Sequence, residues 1–190
     1  MVDNLGATVA AIRAGAIVAY PTEGVWGLGC DPSNREAAER LLALKQRPMA
    51  KGLILLAAEE TQLAPWIAPF DPVMAERIRA TWPGPATWIV PSRPDCPDWL
   101  TGTRDTLAVR VTAHPPARAL CAAAGMALVS TSANPSGEAP LITLEAVRDT
   151  FGSALGAVLD GPLGDLKSPT EIRDARTGHI LRPAEATRHT

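Results

Sequence analysis

The chain has 190 residues, 46% of them hydrophobic and 20% charged, the composition of one globular unit long enough to bury a core. Eighteen Lys and Arg against twenty Asp and Glu leave a net charge of −2, without the basic excess of domains built for sequence-independent nucleic-acid binding. No apolar run nears the roughly 18 residues that cross a bilayer, the opening MVDNLGATVA has no signal-peptide pattern, and Cys30, Cys96 and Cys121 are widely spaced without CxxC; a cytoplasmic protein with reduced thiols is the expectation.

In chain order, Val9, Ala10 and Ile12 ahead of Gly15 predict a short helix with a glycine stop. Residues 16–20 read as a buried strand ending at Pro21, and 22–30 as a glycine-spaced return strand. Ser33 and Glu36 have capping-box spacing and open a helix with Ala37, Leu41, Leu42 and Leu44 inward, ending near Arg47-Pro48. Residues 53–56 form a strand, and Asp71-Pro72 starts a helix with Val73, Met74 and Ile78 inward. Further strands fall at 88–90, 107–111 and 127–130; an alanine-rich helix over 115–124, stopped by Gly125, separates the last two. A helix over 143–151, a strand over 157–159 and a hairpin of 171–174 with 179–182 around Arg176-Thr177-Gly178 complete the chain. With no repeat and no Gly/Ser linker, the predicted class is α/β (α+β): a three-layer single domain over residues 1–190 with a twisted mixed β-sheet flanked by helices. Eighteen prolines, about twice the usual ~5%, stiffen its connections and suit a preformed pocket.

Familiar site patterns fail when tested. Gly24, Gly27 and Gly29 would need a further glycine at Pro32, and a helix directly after, to cradle a dinucleotide. The segment 161–168 ends in Lys-Ser, but Leu166 stands where a Walker A loop requires glycine. His114, His179 and His189 are scattered, with neither HExxH nor GxSxG, so neither a metal site built from side chains nor a covalent nucleophile is expected.

What remains is polar and cationic. Lys45, Arg47 and Lys51 surround the Pro48 helix stop; such a group either complements the helix dipole on a solvated face or clamps a polyanion, Arg by bidentate fork and Lys by point charge. Beside the apolar strand 53–56, the clamp would hold its ligand against a rigid sheet edge. Ser130 to Gly137 (STSANPSG) follows a strand directly, where α/β sheets place ligands, and is either an anion cradle or an ordinary turn. Pro21 releases its strand and turns Thr22 toward a cavity; the plainer readings of Glu23 and Tyr20 are a surface carboxylate and a core ring. Arg110 alternates with Val109 and Val111 in an apolar strand, so it pairs with an anion, of protein or ligand. Arg182, late in the terminal hairpin, carries little by itself.

Six collinear blocks, YPTEGVWGLGCDP from Tyr20, LKQRPMAKGLILL from Leu44, WPGPATWIVP from Trp82, LTGTRDTLAVRV from Leu100, VSTSANPSG from Val129 and SPTEIRDARTGHILR from Ser168, together resemble the YrdC-type threonylcarbamoyl-AMP synthase family in its short, single-domain bacterial form. The resemblance covers nearly the whole chain. It implies a YrdC-like fold and a nucleotidyltransferase that forms threonylcarbamoyl-adenylate and pyrophosphate from L-threonine, bicarbonate or CO2 and ATP, for modification of tRNA next to the anticodon. By motif match, Lys45, Arg47 and Lys51 would bind the ATP phosphates, Lys45 and Arg47 as the catalytic pair, with Ser132 and Asn134 opposite. Thr106, Ser130, Pro140 and Arg182 would line the nucleotide site, and Thr22, Arg110 and Ser168 would hold threonine. Mg2+ is expected with ATP, held by phosphates and water; downstream tRNA-modification proteins and a weak tRNA contact are the implied partners, and a membrane is not. One departure stands at Leu56, where longer members carry a polar or histidine residue nearby.

Other classes fit parts of the pattern. A module for double-stranded RNA could track a phosphate backbone along the cations, though it lacks stacking aromatics and net positive charge. The carbamoyl-transfer domain of hydrogenase-maturation proteins sits in longer chains with zinc-finger-like segments, and a non-catalytic nucleotide-binding regulator would bind without turnover.

Overall fold

Short strands whose alternate residues are both apolar bury both faces of a sheet, and that decides the architecture. A computed structural model describes residues 4–166 and 168–184. Its strands are β1 (Val18–Pro21), β2 (Trp26–Gly29), β3 (Ile54–Ala57), β4 (Ala86–Pro91), β5 (Thr106–Val111), β6 (Leu128–Ser132), β7 (Ala157–Val158), β8 (Glu171–Asp174) and β9 (Ile180–Arg182). The helices are α1 (Leu5–Arg13), α2 (Arg35–Leu44), α3 (Pro72–Arg79), α4 (Asp98–Thr101), α5 (Pro115–Ala124) and α6 (Leu144–Phe151). One nine-stranded sheet runs β7-β1-β2-β6-β3-β5-β4-β8-β9. It is mixed: β1 with β7, β3 with β5 and β4 with β8 are parallel, and the other neighbours antiparallel.

Period-two alternation splits the core in two. Ala19, Leu28, Leu55, Trp88, Val109 and Val129 face one side and pack with Leu41 of α2, Ile78 of α3 and Val147 of α6. Val18, Tyr20, Leu56 and Leu128 face the other and pack with Ile12 of α1 and Leu120 of α5. Helices on both faces of a mixed sheet give the three layers that the sequence predicts. Tyr20 is a core ring, and burial pushes its phenol well above the usual range.

Several local expectations change. The cap of α2 is Asn34, whose Oδ1 accepts from the Ala37 amide at 3.0 Å, while the Ser33 hydroxyl donates to Asp31. The helix stops at Leu44 because Gln46 takes a left-handed conformation (φ 50°); its amide donates to Ala43 O and that of Arg47 to Leu42 O, a Schellman closure. Val73 is 55% exposed, since Met74 and Ile78, four apart, share the inward stripe of α3 and Val73 falls off it. Strand β3 lies between β6 and β5, at the centre of the sheet and not at an edge.

Candidate functional site

The apolar layer under α1 and α5 covers only part of its sheet face. It ends at Leu56 and Leu128; two residues along the same strands, Ile54 and Ser130 are cross-strand partners and floor a hollow. The floor continues through register partners, Ser132 with Gly27 on β2, Ile54 with Ala108 on β5, and Ala108 with Ile89 on β4. Thr106 and Arg110 lie on the same face of β5 as Ala108. The walls are the turn after β1 (Thr22, Gly24), the segment 168–170, Arg182 of β9, and the turns bearing Arg47, Lys51 and Arg104. The cavity holds about 440 Å³. The sequence placed the site at strand ends; the structure lays it on the sheet face, where short side chains leave depth that leucines fill next door. Leu56 faces the α1/α5 layer and does not reach the cavity.

Of the residues singled out from sequence, Thr22, Arg47, Lys51, Thr106, Arg110, Ser130, Ser132, Ser168 and Arg182 line this one cavity, and Lys45, Asn134 and Pro140 do not. The Schellman turn explains the divergence of Lys45 and Arg47. Lys45 is buried and its Nζ donates to Ser132 O, to Asn134 O at 2.6 Å and to Asn134 Oδ1 at 3.2 Å. The Ser132 hydroxyl donates to the same Asn134 Oδ1 at 2.6 Å, and the Asn134 amide donates to Glu138 O at 2.6 Å. Lys45 thus grips the 132–138 loop from behind the cavity wall. Burial, with the charge of Arg47 second, pushes its ammonium down to about 8.

The cavity concentrates positive charge. Among the described residues, no carboxylate lies within 4.0 Å of Arg47, Lys51, Arg104 or Arg182. Burial and then the charges of Arg104 and Arg182 lower the pKa of Arg47; burial and then Arg110 lower that of Arg182. Burial is the larger cause in both, and the repulsion that neighbouring cations add is what a bound anion would relieve.

Among the described residues, Arg110 is the one cavity cation with an acid. Its Nη2 lies 3.3 Å from Glu23 Oε2, with the two side chains only 7% and 10% exposed, and Nη1 donates to Thr170 Oγ1 at 2.5 Å. The Thr112 hydroxyl donates to Glu23 Oε1 at 2.6 Å. Glu23 is therefore buried, not a surface carboxylate, and the protein supplies the anion that the apolar strand around Arg110 demands. Arg182 donates to Thr170 O at 2.7 Å, so Thr170 joins the two arginines. Sequence reasoning missed Arg104 and Thr170, although both lie inside the quoted blocks; nothing local sets them apart from surface residues.

A family model described as "Telomere recombination" (Sua5_yciO_yrdC) matches residues 10–184. The chain belongs to the Sua5/YciO/YrdC family. A relative from Halorhodospira halophila named threonylcarbamoyl-AMP synthase is 58% identical over 91% of each chain, and one of that name from Coxiella burnetii is 46% identical over 95% of this chain and 97% of its own. Among solved structures, P. abyssi Sua5 complexed with L-threonine superposes with a TM-score of 0.87 at 29% identity, covering 94% of this chain. This chain spans 53% of that longer protein. E. coli YciO superposes at 0.83 with 27% identity, over 94% of this chain and 88% of its own. The family fold and the predicted mixed α/β class agree. No helix among the described residues is long and apolar enough to cross a membrane.

Proposed function

We propose that the chain is a threonylcarbamoyl-AMP synthase, a nucleotidyltransferase that makes threonylcarbamoyl-adenylate and pyrophosphate from L-threonine, bicarbonate or CO2 and ATP, for threonylcarbamoyladenosine modification of tRNA next to the anticodon. The observation that carries the reading is that Arg110 and the group Arg47, Lys51 and Arg182 open into one hollow. A guanidinium with donors beyond those it gives Glu23 and Thr170 suits an amino-acid carboxylate, and a cluster suits a triphosphate. The shared name of relatives 46–58% identical to this chain supports the same chemistry.

The threonine nitrogen bonds to the carbon of CO2 (or of bicarbonate, with loss of water) and loses a proton, leaving a carbamate. A carbamate oxygen then bonds to the α-phosphorus while the bond from that phosphorus to the bridging oxygen breaks, and pyrophosphate departs with the electron pair. Two anions must meet, so the chemistry needs charge neutralisation and alignment. In this reading Arg47 and Lys51 hold phosphates with Ser132, and Lys45 acts through the Ser132–Asn134 loop that it grips. Thr106, Ser130 and Arg182 serve the nucleotide; Thr22, Arg110 and Ser168 serve threonine; Pro140, off the cavity lining, takes no part in either contact. Magnesium enters with the substrate as MgATP. Among the described residues the lining offers hydroxyls and cations but no carboxylate, which fits a metal held by phosphate oxygens and water. The adenylate passes to tRNA-modifying proteins of the cytoplasm, and a net charge of −2 keeps direct tRNA contact weak.

Pyrophosphate release, measured with threonine and bicarbonate omitted in turn, tests the reading. Release that requires both is expected; release indifferent to threonine refutes it.

A further inference from the structure

We infer that Arg104 is a further polyphosphate-binding residue of this cavity, acting on the β- and γ-phosphates that leave as pyrophosphate. The inference deepens the synthase reading and rests on it for the identity of the ligand.

Two turns packed backbone to backbone place Arg104. Gly102 (φ 63°) and Thr103 (φ 71°) are both left-handed, an arrangement rare for threonine that swings the chain back under residues 49–52. A Cβ on Gly52 would stand 2.8 Å from Leu100 O, and one on Gly102 would stand 2.6 Å from the Gly52 nitrogen. The two turns therefore move as one piece, and Arg104 keeps a fixed place relative to Arg47.

Both guanidinium groups converge on the turn that carries Lys51. Arg47 donates to Gly52 O from Nε at 3.2 Å and from Nη2 at 3.1 Å; Arg104 donates to Ala50 O at 3.1 Å and Lys51 O at 3.4 Å. Those bonds use two of the five N–H donors of Arg104, and the residue lines the cavity. Its neighbour Asp105 does not neutralise it, being engaged with Arg176 at 3.4 Å. The field of Arg104 reaches Arg47, lowering its pKa more than that of Arg182 does. Polyphosphate oxygens suit guanidinium forks, and Arg104 adds a further cation to Arg47, Lys51 and Arg182 around the same cavity.

The rival role is a brace for the 49–52 turn and nothing more. Inorganic tripolyphosphate and AMP, each titrated by calorimetry into the full chain, separate the two roles in Arg104→Gln and Arg104→Lys. Glutamine keeps a donor for the carbonyls without charge; lysine keeps the charge. Binding of tripolyphosphate about tenfold weaker in the Gln variant, within threefold of the parent in the Lys variant, and AMP binding unchanged in both are expected. A Gln variant within twofold of the parent overturns the inference, and so does AMP binding that weakens in parallel. Because tripolyphosphate binding is read without turnover, failure of the synthase reading would show separately, as absent pyrophosphate release by the parent chain.

Discussion

Replacing Glu23 by Gln removes the one acid that contacts a cavity cation among the described residues, while keeping an oxygen to accept from Thr112. At 3.3 Å and an effective dielectric constant near 20, the gross attraction between Glu23 and Arg110 is about 5 kcal/mol. Desolvation of two side chains that are nearly fully buried takes back part of it. Glu23 Oε2 and Arg110 Nε also lack well-formed hydrogen bonds, so the pair is worth less than its Coulomb term. Breaking a buried pair from one side still costs about 3–5 kcal/mol, since the survivor is left uncompensated. Arg110 survives among the cations of the cavity, and we expect Glu23→Gln to cost about 3 kcal/mol.

Urea unfolding of the parent, Glu23→Gln, Arg110→Met and the double variant forms a cycle that isolates the pair. A coupling of about 2 kcal/mol or more is expected, and one below about 0.5 kcal/mol refutes the argument. The same variants test the role of Arg110. If threonine offers its carboxylate to this guanidinium, it supplies the missing counter-charge and raises the midpoint of Glu23→Gln more than that of the parent. Equal shifts would remove Arg110 from the carboxylate site.

Three further outcomes follow from the same geometry. Arg47→Ala should lower product formation by about 100-fold or more, the scale for losing a preorganised electrostatic contact, with a stability loss near 1 kcal/mol for the bonds to Gly52 O; unchanged turnover contradicts the assignment. Burial lowers the pKa of Lys45 to about 8 from its ordinary 10.5, so between those pH values the unfolded chain binds more protons and stability rises with pH, by up to about 3 kcal/mol, while below pH 8 the burial cost is fully present. The stability difference between the parent and Lys45→Met should grow over that window, and a flat difference would refute the burial argument. Gly24→Ala should destabilise by about 1–3 kcal/mol, because its Cβ would stand 2.5 Å from Ser168 O and 2.8 Å from Leu166 O, backbone atoms unable to turn aside; thermal unfolding measures it.

Local chemistry made much of the fold readable. Asp71 caps α3 by accepting from the Met74 amide at 2.8 Å, Gly125 (φ 76°) ends α5, and the 171–182 hairpin forms, each where sequence places it. Arg110 was legible too, because a charge among Val and Leu demands a partner. What sequence could not supply was adjacency created by the sheet order. Ser130 borders Ile54 because β6 lies beside β3, and Glu23 reaches Thr112 across 89 residues of chain. Lys45 and Arg47 looked like one clamp because the Schellman turn that parts them depends on Gln46 at positive φ, a state with no mark in the sequence. Arg104 depends in the same way on left-handed Thr103.

The hollow itself follows from side-chain length. Gly27, Ala108, Ser130 and Ser132 floor it, whereas Leu56 and Leu128 fill the adjoining stretch of the same face under α1 and α5. The floor is hydrogen-bonded strand, and Arg47, Arg104 and Arg182 at the walls are tied to backbone carbonyls before any anion arrives. Beyond the larger cost of burial, neighbouring cations lower the pKa values of Arg47 and Arg182 by repulsion. An anion that binds relieves it, which couples occupancy to stability: at about 100 times its Kd a ligand adds about 2.7 kcal/mol. Preorganised charge is also what a carbamate needs when it closes on an α-phosphate, because no reorganisation energy is then spent in the transition state.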